Sequence, residues 1–303
     1  MLDLSVIILT YNEEIHIRRC IENVRDIAKN IFIVDSYSTD KTVDIALEYE
    51  QVSVLQNKWE NNHAKQFNWA LNNCSIDTKW ILRLDADEYL TSELVEELNL
   101  YLTDLDENIT GIIFKRRHIF CEKWMKHGIY PVKLLRLFQY KKAICEQRLM
   151  DEHIQLLEGD SVEFQKDFVD HNLNNLSWWT SKHIGYAIRE AVDLLDIEFE
   201  LFPQARNNQG QLSKQAASKR AKKTKYAKQP LFLRAFVYFI YRYILKLGFT
   251  EGKEGFLWHF LQGWWYRTLV DAKIYEIKKA CGNDREKIIE YLKTNYNIDC
   301  TVL

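Results

Sequence analysis

Short runs of buried-type residues alternate with helical segments up to about residue 115, and this alternation constrains the fold more than any other feature. Five apolar, β-branched runs predict buried strands, at residues 4–9, 31–34, 52–55, 80–84 and 111–115. Helical periodicity occupies the intervals, at residues 13–28, 42–49, 64–72 and 92–102. This order predicts an α/β fold whose mostly parallel sheet is covered by helices on both faces.

Polar clusters follow three of the predicted strands, at residues 10–13, 35–40 and 85–87. In open parallel sheets, ligands bind beyond the carboxyl ends of the strands. We therefore expect the three clusters to converge on one edge and to form the binding site.

The sharpest cluster is Asp85-Ala86-Asp87. In an extended backbone, residues i and i+2 point to the same side, and two carboxylates there repel each other unless a cation lies between them. Mg²⁺ and Mn²⁺ prefer oxygen ligands and leave positions open for phosphate oxygens, which predicts a metal–diphosphate site. The alternative interpretation is a solvated turn before a helix, where acidic residues are favourable.

The other two clusters each allow a structural and a functional interpretation. Asp35 could accept hydrogen bonds from a nucleobase or ribose, while Ser38, Thr39 or Asp40 caps the next helix. Thr10 and Glu13 have the spacing of a capping box, and an exposed Tyr11 offers a face on which a base could stack. No glycine-rich dinucleotide fingerprint or phosphate-binding loop occurs in the sequence.

The bulk composition excludes several other classes of protein. Six scattered cysteines without a CxxC pair argue against a zinc ribbon or redox motif and favour a reducing compartment. The N-terminus predicts no signal peptide, and no apolar run approaches the roughly 18–20 residues that span a bilayer. We therefore expect a cytoplasmic protein, peripheral at the inner face of a bacterial membrane.

The net charge of −2 hides an uneven distribution. Residues 201–250 contain 11 Lys and Arg and no acidic residue, and aromatic stretches follow. Such a pattern suits an anionic membrane surface, with contact expected through residues 206–246. The alternatives are a packing surface for the catalytic part or an oligomer contact. No recognised nucleic-acid motif accompanies the basic run, so we expect no nucleic-acid partner.

Four motifs in order resemble those of family 2 glycosyltransferases: LSVIILTYNEE, IVDSYSTDKTVDIA, the lysine of AKQFNWAL, and WILRLDADEYL. HGIYPVKLLRLF, RLMDEHI and the aromatic C-terminal part are similar to bacterial enzymes related to the lipopolysaccharide-core glucosyltransferases. The resemblance implies a GT-A (Rossmann-like) fold, a nucleotide-sugar donor with UDP-sugar expected, Mn²⁺ or Mg²⁺, and inversion at the anomeric carbon. It implies a glycolipid, polysaccharide or lipopolysaccharide acceptor.

The same resemblance assigns roles to individual residues. Donor-binding positions are implied for Thr10, Tyr11, Glu13, Asp35, Lys65, Asp85 and Arg136. Asp85 and Asp87 would hold the metal, with His171 as a possible third ligand or a structural histidine. Lys65 and Arg136 could instead be a solvated helix position and a surface ion-pair partner.

An inverting transfer needs one general base within hydrogen-bond reach of the acceptor hydroxyl. Glu152 aligns with the acid that the subfamily shares, and the neighbouring Asp151 is the alternative, since many family 2 enzymes use an aspartate. The alternative interpretation of both is an exposed acidic turn.

Two other functions stay open at this point. A sugar nucleotidyltransferase would release pyrophosphate rather than UDP, and a non-catalytic membrane or nucleic-acid-binding protein would bind no nucleoside diphosphate. We expect a catalytic domain at residues 1–175, with the donor site in 1–100 and the acceptor side in 101–175. Residues 176–303 form a helical, basic and aromatic-rich extension in this division, and an oligomer is possible.

Overall fold

The computed structural model describes residues 1–150, 152–202 and 212–300. Eleven strands lie in this part of the chain. They are β1 Leu4–Thr10, β2 Asn30–Asp35, β3 Val52–Gln56, β4 Trp80–Asp85, β5 Glu88–Leu90, β6 Ile109–Phe120, β7 Lys123–Trp124, β8 Val132–Gln139, β9 Ala143–Cys145, β10 Ile154–Leu156 and β11 Asp160–His171.

Ten α-helices accompany them in the described ranges. They are α1 Ile17–Val24, α2 Thr42–Ala46, α3 His63–Asn73, α4 Ser92–Tyr101, α5 Leu176–Phe199, α6 Lys214–Ala227, α7 Leu233–Ile240, α8 Gly252–Trp258, α9 Tyr266–Cys281 and α10 Arg285–Tyr296. Two π-helical segments, Tyr241–Leu245 and His259–Trp265, continue α7 and α8.

The main sheet has the order β3-β2-β1-β4-β8-β6-β11-β5, with β7 paired to β6. Its first four strands are parallel. Beyond them, β8 runs antiparallel to both β4 and β6, while β11 runs parallel to β6 and antiparallel to β5. The structure thus confirms the predicted α/β fold, a mostly parallel sheet that continues into a mixed half.

Strand register brings the three polar clusters to one edge, as predicted. Thr10 pairs with Asp35 across β1 and β2, and Leu9 pairs with Asp85 across β1 and β4. The carboxyl ends of the three strands therefore lie side by side and carry the polar loops.

Apolar side chains cover both faces of this sheet. One face packs on α1 and α4, where Ile17, Cys20, Ile21 and Val24 form the buried stripe of α1. The other face packs on α3 through Phe67 and on the small β9–β10 sheet. This double coverage fixes the positions of the strand ends.

The helices that follow the sheet have a core of their own. Residues of α5, α9 and α10 form one buried cluster, and a smaller cluster joins Phe120 and Met125 to Trp179 and Trp258. In the ranges that the structure describes, none of the helices is both long enough and apolar enough to cross a membrane.

Local structure corrects the interpretation of the first loop. Helix α1 begins at Ile17 with His16 as its N-cap, so the interpretation of Thr10 and Glu13 as a capping box is wrong. In the second loop, the Asp40 carboxylate accepts the backbone N–H of Thr42, the first residue of α2, at 2.9 Å, while the N-cap position itself is Lys41.

Candidate active site

Asp35 lies at the end of β2 and is fully buried. Its carboxylate accepts the Thr10 hydroxyl at 2.9 Å and the Ser38 backbone N–H and hydroxyl at 2.8 and 2.5 Å. These bonds replace the capping role expected of Thr10 and hold the loops after β1 and β2 together. The role of Asp35 and Thr10 toward a nucleoside stays a prediction.

The same two loops expose aromatic rings beside Asp35. Tyr11 is 58% exposed and Tyr37, which has a positive φ of 61°, is 54% exposed. Asn12 crosses between the loops, because its side-chain oxygen accepts the Thr39 backbone N–H at 2.8 Å. Two exposed rings at a strand edge are suited to stack on a planar base.

Glu13 is tied to the protein rather than open toward the loops. Its carboxylate lies 2.6 Å from Nδ1 of the buried His16, whose Nε2 accepts the Leu173 backbone N–H at 2.8 Å. Glu13 thereby links the first loop to the segment after β11, and its predicted contact with a nucleoside stays a prediction.

Asp85 ends β4 and meets two arginines. Its carboxylate lies 3.3 Å from the Arg136 guanidinium and 3.9 Å from that of Arg83. Burial would raise the pKa of Asp85, but these two guanidinium groups outweigh it and hold the pKa below the usual range. The structure therefore brings the predicted residues Asp85 and Arg136 together, with an ionised carboxylate between two cations.

Glu88 completes this group from β5. It accepts the Asp85 backbone N–H at 2.9 Å and contacts Arg136 at 2.6 Å, and its side chain is buried. Burial and the charges of Asp85 and Asp170 raise the pKa of Glu88, against the opposing charge of Arg136. Glu88 thus positions both Asp85 and Arg136.

Asp87 lies in the turn between β4 and β5 rather than in extended backbone. Its carboxylate accepts the Asn172 amide at 2.8 Å. Burial, and then the negative charges of Asp170 and Asp85, raise the pKa of Asp87. A site with such mutual repulsion favours occupation by a cation.

Asp170 is the fourth carboxylate of this region, and the sequence interpretation missed it. It lies 3.3 Å from Arg116 and 3.2 Å from Nδ1 of His118. Burial would raise the pKa of Asp170, but His118 and Arg116 outweigh it and keep the pKa below the usual range. The sequence analysis selected the neighbouring His171 instead, because histidine is rarer than aspartate in this sequence.

His171 lies beside Asp87, since its backbone N–H donates to the Asp87 carbonyl at 3.0 Å. Its ring nitrogens lie 3.3 Å from the Arg19 guanidinium and 3.2 Å from the Glu122 carboxylate. The structure therefore brings the backbone of His171 to the metal-binding candidates while its ring contacts other charged groups, and the metal-ligand role stays a prediction.

Lys65 lies in the first turn of α3, with its ammonium 3.7 Å from Glu60. Two residues earlier, His63 lies within the electrostatic reach of Glu152 and Asp85, and burial lowers its pKa. His63 is thus the residue of this segment that faces the carboxylates, while contact of Lys65 with a nucleotide stays a prediction.

Glu152, the predicted general base, contacts Arg83 at 3.2 Å, and its side chain is 16% exposed. Arg83 also donates to Sγ of Cys145 at 3.4 Å and lies over the ring of Phe67, so its guanidinium is held on several sides. Arg83 joins Glu152 to Asp85 and orients both. Asp151, the alternative base, lies outside the described residues.

A polar pocket of about 210 Å³ brings part of this group together, whereas Asp87, Asp170 and His171 are not among its lining residues. Asp85, Arg136 and Glu152 line it together with Arg83 and Arg116. Residues of α6 also line it, among them Ser213, Ala216 and Lys219. Three residues predicted from sequence thus share one cavity, and the basic helix borders its mouth.

The carboxylates fit a divalent cation as part of a shared donor set. In residues 1–150, 152–202 and 212–300, no three His, Cys, Asp or Glu side chains converge closely enough to hold a metal alone. Asp85 and Asp87 would supply oxygen donors, and the remaining positions would suit phosphate oxygens and water, as is usual for Mg²⁺. The donor chemistry fits such a cation, and the pKa of Asp87, raised by burial and then by the charges of Asp170 and Asp85, agrees with it.

Helix α5 adds a cation that sequence reasoning missed. Lys182 lies 4.4 Å from the Trp178 ring centre. Burial would lower its pKa, but Tyr186, Asp87 and Glu13 outweigh it and raise the pKa. A lysine in a long helix carries no sequence signal of such a contact.

The basic run of α6 divides between internal and external positions. Arg220 binds Glu146 at 2.6 Å, and Lys223 binds Asp193 at 2.6 Å and Glu190 at 3.1 Å. The three carboxylates are buried, so these two cations fasten α6 to the rest of the chain. The exposed lysines of the run are Lys214, Lys219, Lys222, Lys225 and Lys228, of which Lys219 also lines the pocket.

Comparison with known proteins identifies the framework that carries this pocket. Residues 5–154, about half of the chain, match the sequence model of the family described as Glycosyl transferase family 2. The chain belongs to this family. The matched range contains β1 to β4, the Asp85-Ala86-Asp87 motif and Glu152, and the family assignment agrees with the GT-A fold that the sequence motifs imply.

Among family relatives, an uncharacterised glycosyltransferase of Rickettsia typhi is 30% identical over 169 residues, 55% of each chain. LpsC, a lipopolysaccharide core biosynthesis glycosyltransferase of Rhizobium meliloti, is 31% identical over 146 residues, 47% of this chain and 53% of the relative. The chain covers between 20% and 55% of the length of the curated relatives that it matches.

Among solved structures, that of residues 1–349 of S. aureus TarS aligns over 97% of this chain and 92% of its own. The TM-score of this alignment is 0.44 and the sequence identity is 14%.

Proposed function

We propose that this family 2 glycosyltransferase is an inverting, metal-dependent enzyme that transfers a sugar from a UDP-sugar to a lipid-linked or polysaccharide acceptor, such as a lipopolysaccharide core. The observation that carries the proposal is the single pocket lined by Asp85, Arg136 and Glu152. It combines groups for a diphosphate with a carboxylate that can take a proton.

In the proposed mechanism, the acceptor hydroxyl lies within hydrogen-bond reach of Glu152. Glu152 takes the proton as the hydroxyl oxygen attacks the anomeric carbon from the face opposite the nucleotide. The bond between that carbon and the β-phosphate oxygen breaks, its electron pair leaves with UDP, and the configuration inverts. Arg83, 3.2 Å from Glu152, keeps the carboxylate oriented throughout.

The donor would lie along the edge made by β1, β2 and β4. Tyr11 and Tyr37 would stack on the base, and Asp35 and Glu13 would contact the nucleoside directly or through the loops that they hold. Arg136, and Lys65 at the start of α3, would lie near the diphosphate.

Asp85 and Asp87 would hold Mn²⁺ or Mg²⁺, with His171 as a further ligand in the proposal. When bound, such a cation neutralises negative charge on the leaving diphosphate. Burial and the charges of Asp170 and Asp85 raise the pKa of Asp87. A divalent cation would offset both effects, which supports this assignment.

We place the enzyme in the cytoplasm, at the inner face of a bacterial membrane, with residues 1–175 as the catalytic domain and 176–303 as the extension. All six cysteines are free, which is usual in a reducing compartment. The basic stretch at residues 206–246 supports an anionic membrane surface as the location of the acceptor.

The experiment is a screen of UDP- and GDP-sugars with the purified chain in Mn²⁺ or Mg²⁺, with release of the nucleoside diphosphate as the readout. We expect UDP release from one UDP-sugar and its loss on addition of EDTA. Release of pyrophosphate, or turnover unaffected by EDTA, would contradict the proposal.

A further inference from the structure

The helical segment from Leu233 to Leu245 buries its charged residues and exposes its apolar ones. Arg234 and Arg242 lie inside, and Arg234 pairs with the fully buried Asp271 at 2.6 Å. The exposed side chains are Leu233, Phe236, Val237, Tyr241, Ile244 and Leu245. A helix that faces water has the opposite arrangement, with its charged side outward. The outer side of this segment is therefore built to meet an apolar medium.

This apolar face extends into the next helix. Eleven of the 23 exposed large apolar side chains of the described chain lie between Phe232 and Leu257, which we call the 232–257 surface. Ring contacts hold it together, with centroid distances of 5.8 Å between Tyr243 and Phe256 and 5.3 Å between Phe236 and Trp264. Exposed apolar patches of this kind mark sites of association.

Charge at the edge of the 232–257 surface distinguishes between occupants. Residues 232–250 contain no acidic residue, and Lys246 and Lys253 are exposed within the surface. The two acids near its end are engaged by the protein, since Glu251 is buried and Glu254 lies 3.4 Å from Lys123. A symmetric pair of chains would bring these like charges together, whereas anionic lipid headgroups would neutralise them. Tyrosines such as Tyr241 suit the boundary between headgroups and acyl chains.

We propose that the 232–257 surface inserts its apolar side chains into the interfacial layer of an anionic lipid membrane. The helices lie along the membrane, with Lys246 and Lys253 at the level of the headgroups. The surface is a different part of the extension from the basic helix α6, in which Arg220 and Lys223 bind buried carboxylates of the chain itself.

The 232–257 surface is rigidly joined to the catalytic part. Trp258, at the end of α8, stacks on the His118 ring at 4.2 Å, and His118 contacts Asp170 at 3.2 Å. Glu251 accepts the backbone N–H groups of Lys126 and His127 at 2.5 and 2.9 Å. A membrane-bound enzyme would thus hold its carboxylate site at a fixed height above the lipid. This inference rests on the proposed function in one respect, because a membrane-bound enzyme of that function would act on a lipid-linked acceptor.

Co-sedimentation with vesicles tests the proposal. Full-length chain is mixed with vesicles of phosphatidylcholine, either alone or with added phosphatidylglycerol. The variant Leu245→Glu/Phe249→Glu places two charges on the 232–257 surface. The control, Leu100→Glu on α4, changes a residue of similar exposure, 64% against 70% for Leu245.

We expect the wild type and Leu100→Glu to bind the anionic vesicles equally. The affinity of Leu245→Glu/Phe249→Glu should be lower by about tenfold or more, because two apolar side chains no longer enter the lipid. Lys246→Gln should lose about fivefold on anionic vesicles and should bind neutral vesicles as the wild type does.

Absence of wild-type binding to anionic vesicles would overturn the proposal, as would equal binding by Leu245→Glu/Phe249→Glu. A wild-type dimer that this variant converts to a monomer, without vesicle binding, would assign the surface to a second copy instead. Hydrolysis of a soluble UDP-sugar, measured on the same samples without vesicles, tests the proposed function separately and should be equal in all variants.

Discussion

Replacing the proposed base by its amide, Glu152→Gln, removes a proton acceptor and preserves the shape of the side chain. General-base catalysis contributes about 10²–10⁴ in rate, or about 3–5 kcal/mol of activation free energy. The amide oxygen can still accept from Arg83, which lies 3.2 Å from the carboxylate. Arg83 also keeps its contacts with Asp85 and Cys145, so the donor site should stay intact.

The assay follows hydrolysis of a saturating UDP-sugar, in which water replaces the acceptor, together with calorimetric titration of UDP in Mn²⁺. We expect kcat to fall at least about 100-fold while the Kd for UDP changes less than about threefold. Glu158→Gln, at an acid whose side chain is 63% exposed, is the matched control and should resemble the wild type.

Near-normal hydrolysis by Glu152→Gln would refute the assignment of the base. If Asp151→Asn shows the large loss of kcat instead, the neighbouring acid takes the proton. A higher Kd for UDP with unchanged kcat would show that Glu152 binds the donor and does not take the proton.

Three further predictions concern the extension and its contact with the catalytic part. Burial and Arg242 lower the pKa of His259 to about 4, so the free energy of unfolding should fall as the pH drops from about 6.5 toward 4. In urea titrations over this pH range, His259→Asn should remove about 3 kcal/mol of that decrease. Asp271→Asn should lower the free energy of unfolding by about 3–5 kcal/mol, because Arg234 stays buried without its counter-charge, and Arg234→Met/Asp271→Asn should lose less in the same titration. Gly128→Ala should lower Tm in calorimetry by several degrees, since its Cβ would lie 2.3 Å from the His259 ring at a φ of +85°. The first expectation would be contradicted if His259→Asn kept the pH dependence of the wild type. The second would be contradicted if Arg234→Met/Asp271→Asn lost as much stability as Asp271→Asn or more, and the third if Gly128→Ala kept the Tm of the wild type.

The parallel half of the sheet was predictable because its strands are buried on both faces and read as continuous apolar runs. Of the mixed half, only part of β6 was predicted, at residues 111–115. Strand β11 has register shifts after Asp160 and between Glu163 and Asp167, which break the alternation by which a half-buried strand is recognised. Strand β8 places Lys133 and Arg136 among its apolar residues, and its character depends on partners distant in sequence.

Position at or just after a strand end was enough to predict that Asp35, Asp85 and Asp87 lie along one edge of the sheet. Asp170 and Arg83 were not predictable in the same way. Arg83 lies inside β4 and Asp170 is the second-last residue of β11, and each acquires its contacts from residues distant in sequence. Arg83 illustrates the reason, since its contact with Glu152 joins residues 69 positions apart.

The sequence also did not show which face of α7 is buried. Composition shows that arginines and aromatic residues alternate in this segment, but either face could have been the buried one. The ion pair between Arg234 and Asp271, 37 positions apart, turns the charged side inward and leaves the apolar side exposed.

The carboxylate site is tested most directly by Asp87→Asn, measured as Mn²⁺-dependent release of UDP from a UDP-sugar. We expect loss of turnover and of Mn²⁺-dependent UDP binding, with an unchanged circular dichroism spectrum and Tm. Asp26→Asn, at an acid whose side chain is 86% exposed, should behave as the wild type. Near-normal, metal-dependent turnover in Asp87→Asn would show that Asp87 does not hold a catalytic metal.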